Sequence, residues 1–203
     1  MNQLDLGQEA EVTAVRSTQT ASVLNPRGFF VVEHWRKGQK INEYRFPNGI
    51  TNQGKDALLN VMFHGATLSQ ITAWYLGMVG TTNYGGTGLA ATDTYQNINQ
   101  SGNDWDEFTG YTDPANSNSA TTRPAWTMGA SASQVVTNAS PVVFDITATE
   151  TVKGLFLVGG IVAAQTKGDH ASGGILWATA LFTGGDVAVN NEDQLKVTYS
   201  VSA

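Results

Sequence analysis

"ILWATALFTGGDVAVNNEDQLKVTYSVS", residues 175–202, decides the fold class of this chain. Its first eight residues and its last nine, 194–202, are rich in β-branched and aromatic side chains, which favour strands. The segment between them, 183–193, consists largely of Gly, Asn and Asp, which favour turns. Short strands separated by such turns are typical of antiparallel sandwiches and barrels.

The same pattern continues upstream. Strand-like runs precede this stretch and are bounded by turn residues: "FFVVEHW" (29–35), "INEYRF" (41–46), "AWYLGMV" (73–79), "VVFDIT" (142–147) and "VKGLFLVGGIVA" (152–163). The first two are joined by a turn with one glycine and predict a hairpin, which Pro47-Asn48-Gly49 is expected to end. We therefore predict one all-β domain over residues 27–203, an antiparallel β-sandwich of jelly-roll type.

One stretch, "NGITNQGKDALLNVMFHG" (48–65), has the spacing of a helix rather than a strand. Thr51 or Asn52 can cap its start, and Gly65 suits its end. Leu58, Leu59 and Met62 form one apolar stripe. Because a helix of three turns is marginal alone, we expect residues 51–64 to form a short helix that lays this stripe on the sandwich.

Residues 1–26 are polar and have neither a helical nor a strand period, which predicts an extended N-terminal arm or, alternatively, a loose terminus. The sparse apolar residues of this arm are candidate anchors on a neighbouring subunit. They are Leu4, Leu6, Val12, Val15 and Val23.

The segments 80–104 and 105–126 contain few periodic residues and many turn formers. Loops longer than about 15 residues in a compact domain are usually functional or contact something. Four of their aromatic residues are therefore further candidates for an interface. They are Tyr84, Tyr95, Trp105 and Tyr111.

Composition excludes several classes of protein. Eleven Lys and Arg against 17 Asp and Glu give a net charge of −6, which is unfavourable for binding nucleic acid. The most apolar run, residues 152–164, is too short to span a bilayer, so no membrane association is expected. Cysteine is absent, which removes disulfides, thiol nucleophiles and thiolate metal sites.

The residues that could act in catalysis or bind a metal are spread along the sequence. His34, His64 and His170 have no partner at metal-ligand spacing, and the chain has no G-x-S-x-G elbow to support a triad around Asp169-His170. The acidic residues Asp93, Asp104, Asp106, Glu107 and Asp113 could bind calcium, or could serve a glycan site with Trp105 and Tyr111 as a sugar platform. The sequence predicts a protein that is not an enzyme and holds no metal or cofactor.

Five short motifs resemble a family of tailed-bacteriophage structural proteins encoded near the capsid genes. They are N-x-G-x-x-x-L-L (52–59), A-W-Y-x-G (73–77), T-x-R-P-x-W (121–126), L-F-T-G-G-D (181–186) and L-x-V-T-Y (195–199). The resemblance covers residues 28–203 and departs in the N-terminal arm and in the Asn-rich loop after Gly80.

This resemblance implies a virion structural protein, and by analogy with decoration proteins a capsid cement protein. Its implied partner is the major capsid protein, its implied location the capsid surface after assembly in the host cytoplasm, and its implied state a homo-oligomer, a dimer or trimer. The alternative is a tail-fibre or tail-tip module that binds a host surface glycan.

Overall fold

The computed structural model describes residues 25–64, 70–85, 88–100 and 105–203. The five predicted anchors of the arm lie outside these ranges. They are Leu4, Leu6, Val12, Val15 and Val23. The first strand begins at Arg27, where the sequence places the start of the domain.

In the described part of the chain, twelve strands and one helix form the fold. In chain order they are β1 Arg27–Arg36, β2 Gln39–Ile50, α1 Asn52–Phe63, β3 Trp74–Val79, β4 Glu107–Phe108, β5 Tyr111–Thr112, β6 Val135–Thr137, β7 Val142–Ile146, β8 Glu150–Val152, β9 Gly154–Gly159, β10 Ile175–Leu181, β11 Val187–Val189 and β12 Gln194–Ser202. Short 3-10 turns occur at Tyr95–Asn97, Pro114–Asn116 and Val162–Gln165. The all-β class with one short helix is confirmed.

β1 and β2 form the predicted hairpin. Lys37 and Gly38 both have positive φ, 51° and 73°, which gives the two-residue turn that matches the twist of paired strands. The prediction that Pro47-Asn48-Gly49 ends the hairpin was wrong, because β2 continues through these residues to Ile50. At Pro47 β2 pairs with β1 alone, and proline is tolerated on a strand that has a free edge.

The ten-stranded main sheet is nearly closed into a barrel. Its strand order is β4-β3-β9-β10-β2-β1-β12-β7-β5, with β6 added on β12, and its pairings are antiparallel. β2 turns one corner, since it leaves β1 and pairs with β10 at Gly49 and Ile50. The two end strands, β4 and β5, are separated in the chain only by Thr109 and Gly110, so the edges of the sheet meet there. The jelly-roll connectivity stays a prediction.

A second sheet pairs β8 with β11. β11 lies inside the segment 183–193 that the sequence predicts to be turn throughout, so that prediction was wrong for Val187–Val189. Val187 and Val189 are buried in the main core. A strand of three residues with two inward side chains is too short for its alternation to be recognised among turn-forming residues.

β9 is buried on both faces. Leu155 and Leu157 point into the main core, whereas Phe156 and Val158 belong to a second cluster on the outer side of the sheet. This is why its sequence is a continuous apolar run without alternation. The second cluster needs a cover, and the long loops provide it.

α1 crosses β10 at close range. Thr51 caps the helix by accepting a hydrogen bond from the backbone N–H of Gly54 at 3.0 Å, and its own N–H donates to the carbonyl of Trp177 at 3.0 Å. A Cβ on Gly54 would lie 2.6 Å from that carbonyl oxygen, so a glycine is required at this contact. The helix thus has a fixed place across one opening of the barrel.

Candidate interaction surface

The loop between β3 and β4 folds back onto the outer face of its own sheet. Tyr95, Ile98 and Trp105 are fully buried there against Phe156. The Trp105 indole donates a hydrogen bond to Asp93 Oδ2 at 2.9 Å, and its ring lies 5.5 Å from that of Phe156. These described residues of the loop therefore cover the second core.

A buried ion pair joins the loops that form this cover. Glu107 and Arg123 have no side-chain exposure, and the guanidinium donates to both carboxylate oxygens at 2.9 and 2.8 Å. Arg123 also donates to the carbonyl of Ala164 at 2.8 Å and to the Tyr95 hydroxyl at 3.3 Å. Burial acts to lower the pKa of Arg123, but the interactions with Glu107, together with those with Tyr95, outweigh burial and raise the pKa. The motif T-x-R-P-x-W therefore contributes a structural cation.

The two tyrosines near this pair are neutral hydrogen-bonding groups. Burial, assisted by the hydrogen bond that Tyr95 donates to Asp169 at 2.7 Å, raises the pKa of Tyr95 to about 12. Burial also raises the pKa of Tyr111 well above its ordinary value, and its hydroxyl donates to Glu107 at 3.2 Å. Both phenols therefore stay protonated at physiological pH.

Lys167 closes the same region from outside. Its ammonium group lies 3.9 Å from the centre of the Tyr111 ring and donates to the carbonyls of Thr109, at 3.0 Å, and Tyr111. Burial lowers the pKa of Lys167 to about 8. Its contacts with Thr109 and Tyr111 lie on either side of Gly110, at the point where the two edges of the barrel meet.

Three of the four aromatic residues that the sequence proposes for an interface are core residues. Tyr95, Trp105 and Tyr111 are at most 1% exposed, so as surface contacts these predictions were wrong. Their segments look like free loops because they lack a period, but they bury isolated aromatic side chains. Tyr95 and Trp105 pack on the outer face of β9, whereas Tyr111 packs in the main core against Phe144. Tyr84 is half-buried, with Lys153 4.6 Å from its ring centre, and remains a candidate.

The acidic residues do not converge. Asp93 and Glu107 accept hydrogen bonds from Trp105 and Arg123, Asp113 accepts from the backbone of Ala115, and Asp106 accepts from Asn83. Asp104 lies outside the described residues. Within the described ranges no group of three or more acidic or histidine residues could hold a metal ion. With Trp105 and Tyr111 buried, the predicted sugar platform is not formed either.

The histidines have separate surroundings. His34 is buried and contacts Asp193 at 2.8 Å, while Asp193 also accepts two hydrogen bonds from Arg36. His170 is exposed, and its Nδ1 contacts the carbonyl of its neighbour Gly168 at 3.1 Å. His64 is the C-cap residue of α1. Asp193 anchors the end of β1 to the turn before β12. The sequence could not predict this role, because the partners of Asp193 are about 157 residues away in the chain.

α1 exposes an apolar face to solvent. Its inward face consists of Gly54, Ala57 and Leu58, but Leu59, Met62 and Phe63 are 48, 55 and 75% exposed. The prediction that Leu59 and Met62 lie on the sandwich was therefore wrong, while Leu58 does pack against the core. The helix is apolar on more than one side, and only one side can contact β10.

Beside α1 an apolar groove of about 290 Å³ leads toward the main core. We define the apolar groove by six of its lining residues: Leu58, Val61, Trp74, Trp126, Trp177 and Val201. Three of the five tryptophans of the chain are among them. The groove and the exposed face of α1 together form an apolar surface region.

No helix among the described residues is long and apolar enough to cross a membrane. No protein-family model matches this sequence, and no curated protein matches it.

Proposed function

We propose that this protein is a virion structural protein of a tailed bacteriophage, a capsid cement protein that binds the major capsid protein and acts as a homo-oligomer on the capsid surface. The sequence motifs supply the family resemblance. The observation that carries a contact function is the exposed apolar face of α1, formed by Leu59, Met62 and Phe63.

These three side chains occupy positions i, i+3 and i+4, so they are neighbours on one helix face. An apolar side chain gains roughly 1.5–3 kcal/mol when it is fully buried, and none of the three gains this in the single chain. A cluster of bulky apolar side chains at a fixed place on a rigid scaffold is typical of a protein–protein contact.

The scaffold suits this role. The barrel is nearly closed, its long loops are held by buried hydrogen bonds, and its short β4 and β5 leave little free strand edge. Such a body presents a contact face without a backbone ordering cost. The N-terminal arm can reach further subunits, since its first 16 residues alone span up to roughly 50 Å.

The test is binding of the purified protein to capsid shells that lack it. Replacing Leu59 and Met62 with serine is expected to weaken binding by tenfold or more, since about 1.4 kcal/mol of lost contact energy corresponds to a factor of ten. Ile41→Ser is the matched control, because Ile41 is also 48% exposed but lies on β2.

Wild-type protein that binds no shell would contradict the proposal. Adhesion of the same protein to host cells instead, with sensitivity to free glycan, would support the tail-fibre alternative.

A further inference from the structure

The apolar groove has no occupant among the described residues, although its size and lining make an empty state costly. A cavity of roughly 150 Å³ in a protein core accepts a benzene molecule, so about 290 Å³ accommodates two aliphatic side chains. Of its lining residues only Gln70 is polar. The occupant must therefore be apolar and uncharged.

The N-terminal segment begins at the wall of this groove. β1 starts at Arg27, and in the β1–β12 register Gly28 lies directly opposite Val201, which lines the groove. On the far side of Val201 lies its second partner, Val136, which also lines the groove. Directly opposed residues of antiparallel strands are roughly 5 Å apart and point to the same face, so β1 begins within one residue of the wall of the groove.

The sequence just before β1 has the required chemistry. Residues 17–26, "STQTASVLNP", contain no charged side chain, and their bulkiest apolar residues are the adjacent pair Val23 and Leu24. Five residues span up to roughly 17 Å, so this pair can reach the groove from Arg27. The charged residues of the segment, Asp5, Glu9, Glu11 and Arg16, all precede residue 17.

We propose that the apolar groove is the binding site for the Val23–Leu24 pair of the same chain. This pair is joined to β1 by only a few residues, so its effective concentration at the groove is high. In dilute solution the same pair from a second copy of the chain has a much lower concentration there. The pair thereby anchors the root of the N-terminal segment, and residues 1–16, which carry Leu4, Leu6, Val12 and Val15, remain available for other subunits. This inference does not depend on binding to capsids.

The experiment uses the full chain and its own tryptophans as the probe. The variant V23S/L24S is compared with wild type and with V12S/V15S, a matched control that removes the same kind of side chain farther out on the same segment. Trp74, Trp126 and Trp177 line the groove, so its occupancy alters the emission spectrum. The dye 1-anilinonaphthalene-8-sulfonate reports an open apolar site.

The expected result is a shift of tryptophan emission to longer wavelength and a several-fold rise in saturable dye binding for V23S/L24S. The control should match wild type, and circular dichroism should confirm an unchanged fold in all three proteins. Equal emission and dye binding in wild type and V23S/L24S would overturn the proposal. The same changes in Leu68→Ser, but not in V23S/L24S, would also overturn it and assign the groove to the segment after α1.

A spin label distinguishes binding of Val23 within one chain from binding between two copies of the chain. Because the protein has no cysteine, V23C carries a single nitroxide label. Broadening of the indole NMR signals of Trp74, Trp126 and Trp177 is expected within the labelled chain. Broadening that instead requires mixing labelled chains with unlabelled, isotope-enriched ones would assign the groove to a second copy and contradict the proposal.

Discussion

Arg123 and Glu107 are opposite charges without solvent contact, and their burial is favourable only while both are present. Between them they contact the carbonyl of Ala164, the hydroxyl of Tyr95 and the backbone N–H of Gly168. At the scale of single residues this pair holds together the loops that cover the outer face of β9.

Arg123→Met is expected to lower the free energy of unfolding by roughly 3–5 kcal/mol, because it leaves the Glu107 carboxylate buried without its cation. Arg45→Met is the matched control. Arg45 is paired with Glu43 but is 62% exposed, and such surface pairs contribute below about 1 kcal/mol. Urea unfolding of both variants measures the difference.

Adding Glu107→Gln to Arg123→Met should restore part of the lost stability, since it removes the unpaired charge. A double variant less stable than Arg123→Met would show that Glu107 acts mainly through Tyr111 and Gly168.

Asp193 connects stability to pH. Hydrogen bonds from Arg36 outweigh its burial and hold the pKa of Asp193 well below its usual range, with His34 also in contact. A depressed carboxyl pKa stabilises the fold above the unfolded pKa of about 3.9, and the contribution is lost as the pH falls through the lower folded pKa.

Asp193→Asn should therefore cost roughly 1.5–3 kcal/mol near pH 7, the usual range for a charged hydrogen bond. The difference in unfolding free energy from wild type should shrink as the pH falls below about 5. A difference that stays constant down to about pH 2 would show that the aspartate charge contributes nothing.

At the scale of elements, α1 has two apolar faces with different partners. Gly54, Ala57 and Leu58 face the barrel, while Leu59 and Met62 face solvent. The same residue type at adjacent positions thus has different energetic roles, and the pair Leu58 and Leu59 offers an internal comparison.

Leu58→Ala should destabilise the isolated protein by about 2 kcal/mol, near the lower end for a core leucine, because Leu58 is only partly buried. Leu59→Ala should change the free energy of unfolding by less than about 0.5 kcal/mol. Thermal melting of both variants tests this, and equal losses would mean that Leu59 has a partner in the free protein.

At the scale of the whole molecule, the barrel begins at Arg27 and its first strand lies between β2 and β12. Among the described residues, the main core is formed from Phe30 onward.

Deletion of residues 1–26 should leave a cooperatively folded domain with a somewhat lower melting temperature, since the apolar groove would lose its occupant. The truncated protein should no longer hold to capsid shells. Shell binding equal to that of the full chain would exclude a gripping role for the arm, and failure to fold would show that the segment belongs to the core.

The sequence by itself determined the all-β class, the β1–β2 hairpin, the last strand from Gln194 to Ser202 and the short helix with a cap at Thr51 or Asn52, and the structure places the cap at Thr51. These features depend on local preferences, on side-chain period and on turn chemistry, all of which involve residues close together in the chain. A single helix with a clear N-cap is recognisable for the same reason.

Only the tertiary structure decided which apolar residues are covered. Tyr95, Trp105 and Tyr111 lie in aperiodic segments. Tyr95 and Trp105 are buried because β9 has a second apolar face on its outer side, and Tyr111 is buried in the main core. Leu59 and Met62 match a core pattern. However, α1 contacts β10 through the face that contains Gly54, so these two side chains stay in solvent. Which face of an element is buried depends on contacts between residues far apart in the chain, and such contacts leave no periodic pattern in the local sequence.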